Sequence, residues 1–261
     1  MRKLSRKLLA VYLAVMVFLY LPIVYLVVQA FLVDPHDWSR GLTLRWVTGL
    51  LSSDALWEPL FTSLSIAALS ATLAVVVGVT GALGLVGRAS RLPGAVQSLI
   101  LLPILLPEVV TGLSLLLFFL MMRIPLGFWT VVLAHAGFSA SFAYFIVLEQ
   151  LRKLDPQLAE AAQDLGADAG TVFWKVTLPN IVPGMGAAWL FAFTLSFDDF
   201  LISFFTSGPT VTTLPLKIYS MMKVGVSPEL NALSLFLIAI SLFFVTFLVG
   251  REHLAKWAHS A

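Results

Sequence analysis

Residues 149–180 read EQLRKLDPQLAEAAQDLGADAGTVFWKVTLPN, a charge-bearing segment between two strongly apolar runs. Its spacing predicts two short helices joined by a bend. Asp155 is placed to cap the first, with Pro156 at the first helical position, where a missing N–H costs nothing. Leu158, Ala161, Ala162 and Leu165 recur at helical spacing and give one apolar face. Gly166 fits the left-handed stop that ends such a helix. Asp168 is placed to start a second helix, with Val172, Phe173 and Val176 on one side, and Leu178-Pro179 is expected to end it. A membrane protein that holds such an element outside the bilayer is expected to dock it onto something. The competing reading is a solvated connection, although most connections are shorter.

The bilayer itself follows from composition. Of 261 residues, 59% are hydrophobic and 11% charged, whereas soluble domains carry about 25% charged residues. The net charge of +2 says little about partners, because in membrane proteins Lys and Arg chiefly set orientation. There is no cysteine, which excludes disulfides, thiolate nucleophiles and Cys-ligated metals.

The hydropathy pattern predicts an all-α membrane protein, a single domain over residues 1–261 with six transmembrane helices at about 8–33, 60–86, 96–122, 128–148, 183–206 and 230–250. The first apolar run follows Arg2, Lys3, Arg6 and Lys7. It is longer than the roughly 7–15 residues of a signal-peptide core, so it reads as a retained span. Gly78, Gly81 and Gly84 let a neighbouring backbone approach the second span. Pro103 and Pro107 interrupt the third. Residues 34–59 read as a polar loop with Trp38, Trp46 and Trp57, aromatics suited to the interface. Residues 207–229 read as a second loop, with turn signals at Gly208-Pro209 and Ser227-Pro228. Six spans put both termini on one side. Placing that side in the cytoplasm leaves only Arg40, Arg45, Arg123, Lys217 and Lys223 outside, of 16 basic residues, so the 149–180 loop is expected to be cytoplasmic.

Inside the predicted spans the only acids or bases are Glu108, His135, Asp198 and Asp199, and no Lys or Arg accompanies them. An aspartate at a helix centre costs about 2.5–3.5 kcal/mol, against about 0.3–0.6 returned by each large apolar side chain. Such residues usually mark a pathway, and unpaired carboxylates point to a cationic cargo. On a regular fifth helix Ala192, Ser196, Asp199, Ser203 and Thr206 form one small, polar stripe, with Asp198 about 100° away. One carboxylate is then expected to face the pathway, with Asp199 the choice, while the other bonds a helix or backbone partner. His135 reads as a packed, hydrogen-bonded side chain.

Catalytic chemistry is missing. No G-x-x-x-x-G-K-[ST], H-E-x-x-H or G-x-S-x-G motif occurs, and the four histidines are scattered. Adjacent aspartates on one helix diverge too far to share a proton as an aspartyl protease requires. The chain is expected not to be an enzyme, nor to bind nucleic acid.

Glu160-Ala161-Ala162, Gly166 and Val176-Thr177-Leu178-Pro179 resemble the E-A-A-x-x-x-G-x9-I-x-L-P signature of membrane subunits of binding-protein-dependent ABC importers, departing only at Val176. The segments around Glu108, Ser196-Phe197-Asp198-Asp199-Phe200 and Leu214–Ser220 resemble spermidine/putrescine importer permeases, the spermidine-preferential branch most, with Glu108 where relatives carry Asp. The resemblance implies a type I ABC importer permease fold in the bacterial inner membrane. It also implies a homologous second permease, two cytoplasmic ATPases holding ATP and Mg (no cofactor being bound by this chain), and an extracytoplasmic polyamine-binding protein. Polyamine would pass near Glu108, Asp198 and Asp199, and Trp46 would offer a cation–π face at the outer entrance. Residues Glu160, Ala161, Ala162, Gly166, Leu178 and Pro179 would belong to the element that couples to the ATPase. A permease of the same class for an opine, thiamine or an amino-phosphonate, and a lone proton-coupled carrier, are the alternative readings.

Overall fold

A computed structural model describes residues 6–34, 37–86, 94–225 and 227–258. All regular structure among them is helical apart from one isolated antiparallel bridge, Leu32 to Leu42. The helices are α1 (Arg6–Gln29), α2 (Arg45–Leu51), α3 (Asp54–Val86), α4 (Gly94–Leu105), α5 (Glu108–Met121), α6 (Phe128–Arg152), α7 (Pro156–Asp164), α8 (Ala169–Val172), α9 (Leu178–Asp198), α10 (Leu201–Thr206), α11 (Leu214–Val224) and α12 (Pro228–Ala258). The chain divides into two compact units, Met1–Leu56 with Ile218–Ala261, and Trp57–Lys217.

Among the described residues four helices are long and apolar enough to cross a membrane: Lys7–Gln29, Asp54–Gly84, Phe128–Arg152 and Ala169–Asp198. The expected third span is instead a broken pair, Ser98–Leu105 and Glu108–Met121, bent by 111°. Pro107 explains the break, because its ring disfavours the helical conformation at Leu106 and it brings no N–H of its own. The expected sixth span lies in α12, whose described apolar stretch, Pro228–Leu242, is shorter than the other crossings.

In the first unit α12 packs against α1 and α2. α1 is apolar on every side and exposed along most of its length, as with Phe18 at 78%, which suits a helix bathed in lipid. The loop expected over 34–59 carries α2 and the start of α3, and that expected over 207–229 carries α11.

The second unit is built on α3, α6 and α9. Ala71, Ala74, Ala143, Ala188 and Ala192 are wholly buried where they meet. Such small side chains let helix backbones close in where lipid offers no hydrophobic drive. Gly78 is the tightest point: a Cβ there would lie 2.7 Å from the backbone nitrogen of Tyr144. Gly81 meets only the Tyr144 ring, and Gly84 meets nothing, so of the three glycines Gly78 alone requires the close approach.

The 149–180 loop forms two helical pieces. Asp155 accepts from the Gln157 N–H at 3.0 Å, with Pro156 opening α7. Gly166 has φ +87°, and its N–H and that of Ala167 donate to Gln163 and Ala162 carbonyls, the bonding of a Schellman stop. Asp168 caps α8 by accepting from the Thr171 N–H at 3.0 Å, and these Thr171 bonds hold its carboxyl below the usual range. Leu178-Pro179 does not end the second piece. A π-helical turn, Phe173–Thr177, carries the chain without interruption into α9. The wider turn accommodates Pro179, whose ring would clash with a regular turn before it.

Candidate functional site

Two helix breaks define the site. α9 stops at Asp198, and Asp199 is extended (φ −65°, ψ 126°) before α10 resumes. The Asp199 carboxylate produces the new start, accepting from the N–H groups of Ser203 at 2.8 Å and Ile202 at 3.3 Å. The regular fifth span predicted over 183–206 is therefore broken at its aspartates. The other break delivers Glu108 as the first residue of α5.

α5 and α10 pack together through Gly112, where a Cβ would stand 2.8 Å from the Phe205 ring and 3.3 Å from the Ile202 Cα. Glu108 lies one turn before Gly112 and so on the same face. It stands within electrostatic range of both aspartates. The three acids singled out in the sequence thus lie at the two breaks: Glu108 and Asp199 at the starts of α5 and α10, whose exposed N–H ends favour negative charge, and Asp198 as the last residue of α9.

The aspartates have different surroundings, and Asp199, the one expected to face the pathway, is the buried one. Asp199 is turned inward, its side chain 8% exposed, with Oδ2 at 3.1 Å from His135 Nε2. Asp198 and Glu108 are exposed, and neither forms an ion pair among the described residues. The reason is the α9–α10 break: capping α10 draws Asp199 into the bundle, and the turn leaves Asp198 outside.

His135 was expected to be a packed, hydrogen-bonded side chain, and it is, at 2% exposed. It is also the partner that the acids lacked. Its Nδ1 lies 2.6 Å from Ser196 Oγ and its Nε2 3.1 Å from Ser203 Oγ. Ser70 Oγ on α3 is 2.9 Å from Ser196 Oγ. One network therefore ties α3, α6, α9 and α10 around Asp199. The signal in the sequence was a lone intramembrane histidine together with Ser196 and Ser203 flanking Asp199 at helical spacing.

Trp46 lies in the first unit. Its indole N–H donates to the Leu32 carbonyl at 3.0 Å, and the Arg45 guanidinium sits 5.8 Å from its ring centroid, so a cation from its own chain already occupies that face. On the 149–180 loop Glu160, Ala161 and Gly166 are exposed, Leu178 packs against the core, and Pro179 is the second residue of α9. The apolar face expected on α7 is not buried: no α7 residue is buried, and Leu158 and the C-cap residue Leu165 are 49% and 90% exposed.

Residues 74–251 match the family described as binding-protein-dependent transport system inner membrane component. The spermidine/putrescine transport system permease protein PotC of Escherichia coli (strain K12) is 38% identical over 234 residues, 89% of this chain and 88% of that protein. The putrescine transport system permease protein PotI of the same strain is 41% identical over 228 residues, 83% of this chain and 80% of that protein. Among solved structures, a bacterial ABC transporter importing the acidic polysaccharide alginate aligns with TM-score 0.69 at 16% identity, over 94% of this chain and 93% of that one. An inward-facing MetNI methionine ABC transporter aligns with TM-score 0.63 at 18% identity, over 76% and 94%. These two share the fold.

Proposed function

The chain belongs to the family of binding-protein-dependent transport system inner membrane components, and we propose that it is the permease subunit of an ATP-driven polyamine importer. The observation that carries the substrate is the pair of exposed carboxylates, Glu108 and Asp198, which lie where two helices break and have no ion-pair partner among the described residues. Polyamines are chains of ammonium groups at neutral pH, and carboxylates without a cation of their own complement them. The names of the relatives at 38% and 41% identity support the same class of cargo.

In this reading a second, homologous permease completes the conduit, and a loaded binding protein delivers polyamine from outside. Two cytoplasmic ATPases hold ATP and Mg, and this chain binds no cofactor. The termini and the 149–180 loop lie on the cytoplasmic side, as the distribution of Lys and Arg favours. α7 then meets the ATPase with Leu158, Leu165 and Glu160, and the unbroken run from α8 through Leu178-Pro179 into α9 transmits its movement towards Asp198. Trp46 offers incoming ammonium an aromatic face once Arg45 yields it.

The test is uptake of labelled spermidine and putrescine into proteoliposomes carrying the assembled transporter, with binding protein outside and ATP inside. Uptake that requires ATP and ignores a proton gradient is expected. Uptake by the single chain on a proton gradient, or no transport of either polyamine beside an active opine or thiamine, would overturn the reading.

A further inference from the structure

The hydrogen bonds around His135 decide which carboxylates the cargo meets. Ser70 Oγ donates to Ser196 Oγ at 2.9 Å, and Ser196 Oγ lies 2.6 Å from His135 Nδ1, which fixes one edge of the ring. On the other edge, Nε2 faces Asp199 Oδ2 at 3.1 Å. An ionised carboxylate has no proton to give, and two lone pairs at that distance would repel, so this contact holds a proton. Oδ2 already accepts from the Ser203 N–H at 2.8 Å, which suits the ionised carboxylate and places the proton on Nε2.

We infer that His135 is a positioning residue that holds Asp199 inside the bundle through Nε2, so that the cargo is read by Glu108 and Asp198 alone. Asp199 does not touch cargo in this scheme. It is buried, it fixes the α9–α10 break through the Ile202 and Ser203 N–H groups, and its paired state sets the direction of Asp198. The other groups facing the pair are the serines, Ser70 from α3, Ser196 from α9 and Ser203 from α10, and the acids in electrostatic range are Glu108 and Asp198. Two free carboxylates then match two ammonium groups, the smallest unit that every polyamine contains. The count of cargo charges rests on the polyamine reading; the pairing itself does not.

A double-substitution cycle in the assembled transporter separates these roles. Asp199→Asn alone takes the ionised acceptor away from His135 Nε2, and His135→Gln alone takes the ring donor away from a buried anion. Each is expected to lower uptake by about tenfold or more and to lower the melting temperature of the complex, because breaking a buried pair costs more than removing both partners. The double His135→Gln/Asp199→Asn restores a neutral, hydrogen-bonded contact and is expected to recover both to within about threefold and about 2 °C of the parent. Asp198→Asn is expected to raise KM and to gain nothing from His135→Gln. If a single variant fails to assemble, recovered assembly in the double reads the same way. A double variant no better than the worse single overturns the inference, as does Asp199→Asn raising KM alone with no recovery when His135→Gln is added. The melting arm needs no cargo, so it judges the pairing even if polyamine uptake is absent.

Discussion

Asp198→Asn in the assembled transporter is expected to cut polyamine uptake at low substrate concentration by about tenfold to a hundredfold, with Glu108→Gln close behind. A hydrogen bond to a charged group contributes about 1.5–3 kcal/mol, and about 1.4 kcal/mol is a factor of ten. Both side chains are exposed and neither forms an ion pair among the described residues, so neither substitution breaks a salt bridge of the fold. Both variants should therefore assemble with the partner permease and ATPase in normal yield, and the loss should fall on KM. The double variant meets the ammonium groups with neutral amides only and should show no measurable uptake. Normal spermidine and putrescine uptake by both single variants would remove these residues from the cargo site.

The second large effect belongs at the other end of the molecule. Leu165→Asp is expected to abolish co-purification of the ATPase and with it ATP-driven uptake, while leaving the melting of the permease itself unchanged. Leu165 is 90% exposed, so the chain alone loses nothing by the exchange. A leucine buried at an interface contributes about 1.5–3 kcal/mol, and a carboxylate buried there unpaired reverses the sign. Gly166→Pro should act through the backbone instead. Its φ of +87° is closed to proline, and its N–H donates to the Gln163 carbonyl at 2.8 Å, so the stop between α7 and α8 would be lost. Glu160→Ala should weaken docking less, removing one exposed polar contact. Unchanged co-purification and unchanged transport-coupled hydrolysis in Leu165→Asp would sink this assignment.

What could be read from the sequence was what local chemistry decides. Asp155-Pro156, Gly166 and Asp168 each act within a few residues of themselves, and the structure uses each as expected. Pro107 likewise announced the break before Glu108, though not its 111° bend. The break at Asp199 was hidden because Ser-Phe-Asp-Asp-Phe contains neither proline nor glycine. It arises when Asp199 turns to cap Ile202 and Ser203 and is held there by His135, 64 residues earlier in the chain. A pattern of faces on one ideal helix cannot register a partner supplied by another. The same limit concealed α11, where turn signals at both ends were taken to describe the residues between them. The correction matters for function. One of the three acids has its partner inside the chain, so fewer free carboxylates remain than the sequence suggested.

The most direct test is the structure of the assembled transporter with polyamine bound. The account predicts ammonium nitrogens about 2.7–3.0 Å from the carboxylates of Asp198 and Glu108, with Asp199 still on His135 and away from the cargo. Polyamine lodged elsewhere while Asp198 and Glu108 point out of the conduit would contradict it.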